Sequence, residues 1–150
     1  MADIDKVDRE ILKLLSEDAR LSYRDIAKKL GVSHANVSAR IRRLEEVGVI
    51  RGYTIVVDPY AEGLYPLCVR ISSKPGVELS EIGKKIANLP EVYVAMRVSG
   101  ECELLALTLS ENREKALELM SQINKIEGID KAESHVVLDA IKLSGFDLNQ

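Results

Sequence analysis

The sequence predicts an α+β protein, with a group of helices at its N-terminus and a separate domain built on an antiparallel sheet. Two observations carry this prediction. Apolar residues recur at helical spacing through the first third of the chain, and beyond Gly48 the apolar period changes from about 3.6 residues to about 2. The length of 150 residues allows two small domains. We place the first domain at residues 1–52, a strand and linker at 53–65, and the second domain at 66–150.

The composition excludes several classes of protein. No apolar run approaches the roughly 18 residues of a membrane helix, and the N-terminus lacks the basic and apolar regions of a secretory signal. We therefore expect a cytoplasmic protein with no membrane partner. Cys68 and Cys102 are the only cysteines, and their apolar, strand-like surroundings favour buried thiols over a disulfide framework or a metal site. A single Phe, no Trp and many Lys and Glu residues indicate a heat-adapted source, such as a thermophilic archaeon.

Each of the three predicted N-terminal helices begins at a capping residue. Asp5 followed by Asp8 resembles a capping box, so helix 1 is expected from about Ile4 to Asp18. Gly31 and Gly48 can end the second and third helices. The predicted caps are Asp5, Ser22 and Ser33.

Helix 2, a short turn containing Gly31 and helix 3 have the spacing of a helix-turn-helix. When the apolar positions of helix 3 face inward, its outward face is small and polar. Alanines let the backbone approach DNA closely, Asn and Ser can bond base edges, and arginines can meet phosphates or a guanine edge. A merely solvated helix would carry Lys and Glu there. The predicted DNA-binding residues are Arg24, Ser33, His34, Ala35, Asn36, Ser38, Ala39, Arg42 and Arg43.

The charge distribution agrees with DNA binding at one end of the chain. Residues 1–52 carry a net charge of +2, whereas residues 53–150 carry −5, so the whole-chain value of −3 conceals a basic element. Arg40 lies towards the flank of helix 3, where an ion pair with Glu10 or Glu45 is as open to it as a contact with DNA.

The second domain follows the order strand, helix, strand, strand, helix, strand. This order predicts a ferredoxin-like βαββαβ sheet with both helices on one face. The two central strands carry apolar residues on both sides, so we expect a second copy to cover the other face and the domain to dimerise. A dimer also supplies two helix-turn-helix units, one for each half of a pseudo-palindromic operator. The expected strands are Ile50–Val57 before this domain and 67–73, 92–99, 103–109 and 133–143 within it, with helices at 79–89 and 111–126.

Several short motifs are spread along the chain. They are Asp5-x-x-Asp8-x-x-Ile11-Leu12-x-x-Leu15, Tyr23-Arg24-Asp25-Ile26-Ala27 leading to Val32-Ser33, Val37-x-x-Arg40-Ile41-x-x-Leu44-Glu45, Gly48-Val49-Ile50-x-Gly52-Tyr53 and Asp58-Pro59. With these motifs the chain resembles the Lrp/AsnC family of transcriptional regulators over nearly its whole length. The resemblance implies a DNA-binding regulator that is not an enzyme, and that forms dimers or octamers. It also implies no cofactor apart from an amino-acid effector, held near the hairpin of the second domain, where the family carries Gly-Asp-x-Asp and this chain reads Gly100-Glu101-Cys102-Glu103. The predicted effector-binding residues there are Gly100, Glu101 and Glu103, and Ser99, Ser134 and His135 are further candidates on their position alone.

Three alternative interpretations compete with this one. An enzyme is disfavoured because the sequence has no Gly-rich phosphate loop, no His-x-x-x-His and no Ser or Cys placed with a His base. A metal-sensing repressor would use Cys68, Cys102 and His135. In the third interpretation, the helix-turn-helix is only a docking unit of a ligand-binding protein.

Overall fold

A computed structural model describes residues 3–143 and the backbone of residues 146–147. The end of the predicted 66–150 domain, at residues 144–145 and 148–150, lies outside the described residues. The chain divides into two compact units. The first extends to Val56 and includes the described residues from Ile141 onward, and the second is Val57–Ala140. Among the described helices, none is both long enough and apolar enough to cross a membrane.

Three helices form the first unit, as predicted: α1 (Lys6–Glu17), α2 (Tyr23–Leu30) and α3 (His34–Glu46). All three predicted caps are confirmed. Asp5 and Asp8 form a reciprocal capping box, in which each carboxylate accepts a hydrogen bond from the other residue's backbone N–H. The hydroxyls of Ser22 and Ser33 accept backbone hydrogen bonds at the starts of α2 and α3. Gly31 ends α2 with a φ of 67°, in the left-handed region that favours glycine.

The helices pack around a small aliphatic core. Ile11 of α1 and Ile26 of α2 meet Val37 and Ile41 of α3, and none of these four side chains is exposed to solvent. Burial of each such side chain contributes about 1.5–3 kcal/mol. Because Val37 and Ile41 are spaced by one turn, their burial fixes which face of α3 points away from the core.

The predicted strand Ile50–Val57 is wrong. This segment is extended but pairs with no strand among the described residues. Its β-branched composition is typical of a strand, but a strand also needs a neighbouring ladder to satisfy its backbone groups. Instead, Ile50 packs against the helical core, and the Tyr53 hydroxyl donates a hydrogen bond to Glu45 Oε1 at 2.8 Å. Ile55 remains largely exposed.

The second unit has the predicted βαββαβ order. Its four strands form one antiparallel sheet in the order β2-β3-β1-β4. Its elements are β1 (Tyr65–Ser73), α4 (Leu79–Ala87), β2 (Val92–Arg97), β3 (Leu104–Ser110), α5 (Arg113–Asn124) and β4 (Ile129–Val136).

The last predicted strand has the wrong bounds. The sequence predicts it at 133–143, but β4 covers Ile129–Val136, and a separate strand β5 (Lys142–Leu143) pairs with β6 (Phe146–Asp147). The earlier start follows from the turn at Gly128, whose φ of 96° lets Ile129 pair with Ser73 of β1, before a register shift between Ser72 and Ser73.

The two faces of the sheet differ. One face packs on α4 and α5 through a continuous apolar core that includes Val69, Ile82 and Leu119, all at most 1% exposed. We call the opposite face the open face, because neither helix covers it. On β2 and β3 the open face is apolar, and on β1 and β4 it is polar. Its members are Val94, Met96, Leu105, Leu107, Cys68, Arg70, Ser72, Lys131, Glu133 and His135.

Candidate nucleic-acid interface and ligand cleft

The solvent-facing surface of α3 carries short side chains and one arginine that has no ion-pair partner among the described residues. Ala35 and Ala39 are exposed one turn apart, with Ser38 half-buried beside them. Arg42 is also exposed and makes no hydrogen bond or ion pair with any residue that the structure describes. A backbone flanked by alanine methyls can approach another surface closely, while Arg42 remains free to meet an anion.

A second line of α3 side chains faces α1. Arg40 Nη1 donates hydrogen bonds to Asp5 Oδ2 at 2.7 Å and to Asp8 Oδ1 at 2.8 Å, so its carboxylate partners are Asp5 and Asp8 rather than Glu10 or Glu45. Arg43 donates to Asp8 Oδ2 and to the carbonyl oxygen of Asp3.

Asp8 is the centre of this cluster and has no exposed surface. Burial opposes its ionisation, but hydrogen bonds from Arg40, the Asp5 backbone N–H and Arg43 outweigh that effect, and the pKa of Asp8 lies below its ordinary value. The side chains of Arg40 and Arg43 are 24% and 43% exposed. Two of the three arginines of α3 are thus neutralised within the protein.

The start of α3 lies beside the start of α2. The Ser33 hydroxyl accepts the Asn36 backbone N–H at 3.1 Å, and the rings of Tyr23 and His34 lie 6.1 Å apart. Arg24 is exposed in the first turn of α2. Most of the predicted DNA-binding residues therefore lie at the start of α2 and in the first turns of α3, while Arg42 and Arg43 lie further along α3. Along α3, Arg42 is on the solvent-facing surface and Arg43 is directed towards α1.

A separate cleft of about 340 Å³ lies on the polar half of the open face. Arg70 Nη2 lies 4.0 Å from Glu101 Oε2, and Lys131 Nζ lies 2.6 Å from Glu133 Oε1. The hydrogen bond from Lys131 lowers the pKa of Glu133. Positive and negative groups therefore alternate within one cleft, an arrangement that suits a zwitterion. Its lining residues are Arg70, Ser72, Glu101, Cys102, Lys131 and Glu133.

Only one of the predicted effector residues lines this cleft. Glu101 does so, while Glu103 turns away and accepts hydrogen bonds from the backbone N–H and the hydroxyl of Ser73, which lower its pKa. Ser134 lies opposite Val69, on the face that packs against the helices. Ser99 and Gly100 are exposed in the loop between β2 and β3.

Sequence reasoning missed Arg70 and Glu133 as members of the cleft. Arg70 could have been found, because it alternates with the apolar Val69 and Ile71 in a strand whose other face is buried. Glu133 could not, because assigning it to the open face requires the pairing of β4 with β1.

The residues of the metal-sensor alternative are spread over the open face. Cys68 lies opposite His135 across β1 and β4, whereas Cys102 lines the cleft beside Arg70. In the part of the chain that the structure describes, no three His, Cys, Asp or Glu side chains form a group suited to a metal ion.

Comparisons with known proteins match both units. Residues 4–51 match a winged helix-turn-helix DNA-binding family, and residues 67–145 match the Lrp/AsnC ligand-binding domain. The chain is 37% identical over 141 residues to an uncharacterised HTH-type transcriptional regulator of Pyrococcus furiosus, covering 93% of this chain and 95% of that protein. It is 33% identical over 141 residues to the HTH-type transcriptional regulator LrpA of Pyrococcus horikoshii, covering 93% of this chain and 99% of that one.

A solved structure supports the same assignment. AsnC from E. coli superimposes with a TM-score of 0.77 at 26% identity, covering 95% of this chain and 97% of that one. The Pyrococcus relatives agree with the heat-adapted composition. The N-terminal helix-turn-helix and the C-terminal sheet are therefore the two parts of one known architecture, and the chain belongs to the Lrp/AsnC family of DNA-binding transcriptional regulators.

Proposed function

We propose that two copies of this chain bind a pseudo-palindromic operator, each placing α3 in the major groove, and that an amino acid bound on the open face alters their assembly. The observation that carries DNA binding is the solvent-facing surface of α3. Its exposed alanines permit close approach, and Arg42 is not engaged by any described side chain. Arg24 and His34 lie at the adjacent helix starts, where backbone phosphates pass a helix-turn-helix.

DNA binding is tested by fluorescence anisotropy with the protein's own promoter and a scrambled duplex at two salt concentrations. Arg42→Glu is expected to weaken promoter binding by about tenfold or more, because it places a negative charge against a phosphate or a base edge. Arg20→Glu is the matched control, since Arg20 is exposed in the turn between α1 and α2 and has only Asp18 as a polar partner among the described residues. Equal affinity of the two variants would contradict the assignment of α3.

Self-association is supported by the apolar half of the open face. Val94 lies beside Leu107 and Met96 beside Leu105, which forms a contiguous apolar patch that no described helix covers. Such a patch suits a second copy of the chain. Met96→Lys is expected to lower the molar mass measured by light scattering after size-exclusion chromatography. Leu117→Lys, an equally drastic change on exposed α5, should leave the mass unchanged.

The alternating charges of the cleft support an amino-acid effector. Arg70 can take the α-carboxylate and Glu101 the α-ammonium group, a role that Glu103 cannot fill while it is bonded to Ser73. An effector changes operator affinity only to the extent that it binds two assemblies unequally. Calorimetric titration with each of the twenty amino acids identifies the ligand. Arg70→Met should abolish that heat, whereas Lys85→Met on α4 should not.

A further inference from the structure

Among the described residues, no aliphatic or aromatic side chain lines the cleft on the polar half of the open face. Four of its six lining residues are ionised, and the other two are Ser72 and Cys102. Leu105 lies opposite Arg70 across β1 and β3, but it is not one of the lining residues. An aliphatic ligand side chain in this cleft would displace water from charged groups without offering them hydrogen bonds, which is unfavourable.

The cleft contains two ion pairs that differ in closeness. Arg70 Nη2 and Glu101 Oε2 lie 4.0 Å apart, beyond hydrogen-bond distance, so both groups can still bond to a ligand. Lys131 Nζ and Glu133 Oε1 lie 2.6 Å apart. That contact uses one of the three donors of the ammonium group and one of the two carboxylate oxygens, and no other described residue bonds to either side chain. The Lys131–Glu133 pair can therefore donate to a ligand and accept from it without separating.

The closer ion pair lies next to the position of Arg70 in the sheet. Glu133 is directly opposite Arg70 across β1 and β4. Ser72 is two residues further along the same face of β1, at a spacing of about 7 Å, and Lys131 is directly opposite Ser72. A ligand whose α-carboxylate binds Arg70 can therefore direct its side chain along β1, towards the hydroxyl of Ser72 and the Lys131–Glu133 pair.

We propose that the effector is an amino acid with a polar side chain rather than an aliphatic or aromatic one, and that Lys131 and Glu133 are the residues that determine this specificity. The inference rests on the proposed function, in which Arg70 and Glu101 hold the α-carboxylate and the α-ammonium group. A site built to hydrogen-bond a polar group rejects an analogue that lacks it, because the polar groups of the site then lose their partners. The side chains of Lys131 and Glu133 are 64% and 44% exposed, so water replaces part of those bonds, and we expect discrimination of about tenfold.

The test is calorimetric titration of the full-length protein with amino acids that are matched in shape. Glutamine, glutamate and lysine are each compared with norleucine, asparagine with leucine, and threonine with valine. At least one polar amino acid should bind about tenfold or more tightly than its apolar counterpart. Lys131→Met and Glu133→Met, made together, should reduce that ratio towards one. The matched control is Glu81→Met with Lys84→Met, which removes an exposed ion pair of α4 and should leave the ratio unchanged.

The ratio of two affinities separates this role from a structural one, since a loss of stability would weaken all ligands alike. The wild-type ratio keeps the test decisive even if the double variant unfolds, which circular dichroism would detect. If every apolar counterpart binds as tightly as its polar partner, and Arg70→Met still abolishes the heat, this inference is overturned while the effector site stands. An unchanged ratio in the folded double variant would also overturn it. If none of the twenty amino acids gives a heat of binding with the wild type, the proposed effector function fails together with this inference.

Discussion

Replacement of Asp8 by Asn tests whether the buried carboxylate holds α1 to α3. The change keeps the size of the side chain and removes its charge, leaving Arg40 and Arg43 against a neutral amide. Breaking a fully buried ion pair costs about 3–5 kcal/mol. Here Arg40 keeps its contact with Asp5, and both guanidinium groups reach solvent, so we expect the free energy of unfolding to fall by about 2 kcal/mol.

The same variant predicts a change in pH dependence. The pKa of Asp8 is lowered in the folded state, so its stabilising contribution is complete above its ordinary value near 3.8 and is lost as the pH falls through the folded value. The wild type should therefore lose stability below about pH 4–5. Asp8→Asn should show a shallower loss but not a flat profile, because the pKa of Asp5 is also lowered, by its hydrogen bonds with the Asp8 backbone and Arg40.

The measurement is urea unfolding followed by circular dichroism at a series of pH values, with Asp18→Asn as the control. Asp18 makes an exposed contact with Arg20, 3.5 Å between Oδ1 and Nε, and such surface pairs contribute about 0–1 kcal/mol. If Asp8→Asn is no less stable than Asp18→Asn at pH 7, or if its acid profile matches that of the wild type, the reasoning is refuted.

Three further predictions concern charge and packing. Arg42→Ala should reduce the slope of log affinity against log salt by about one, and Arg43→Ala by less because Arg43 is paired within the protein, both measured by anisotropy. Gly31→Ala should cost about 1–2 kcal/mol for its positive φ, and Gly128→Ala about 2–4 kcal/mol because its Cβ would also lie 2.7 Å from Val77, as urea unfolding would show. Thr108→Val should raise stability by about 1 kcal/mol in the same assay, because the buried hydroxyl has no hydrogen-bond partner among the described residues.

The parts of the fold that could be predicted are those that depend on local chemistry. The caps at Asp5, Ser22 and Ser33 and the helical spacing of the apolar residues each involve only a few neighbouring positions. The interval 50–57 shows the limit of that reasoning. Its residues favour β structure, but whether a segment becomes a strand depends on a partner that its own sequence does not specify.

Prediction of the candidate sites met the same limit. Features set by neighbouring residues could be predicted, and features set by residues distant in the sequence could not. The helical periodicity predicted the outward face of α3. It did not predict that Arg43 forms an ion pair with Asp8, which lies 35 residues earlier in the sequence. In the sheet, the sequence predicts Ser134 as an effector residue, whereas its neighbour Glu133 lines the cleft, because one position in a strand moves a side chain to the opposite face. The Asp8–Arg43 ion pair and the pairing of β4 with β1 both join residues that are far apart in the sequence, so neither can be predicted from local pattern.

The charge arrangement of α3 separates affinity from specificity. Each phosphate that a protein neutralises adds about 0.9 to the salt slope, so that slope approximately counts the available cations. Arg40 and Arg43 are occupied by Asp5 and Asp8, so Arg42 is the one arginine of α3 without an ion pair among the described residues. The contribution of α3 to operator binding must then come mainly from base-edge contacts and less from phosphate neutralisation. The acidic pair at the start of α1 thus lowers the sequence-independent contribution of α3, and thereby increases the share of its binding energy that depends on sequence.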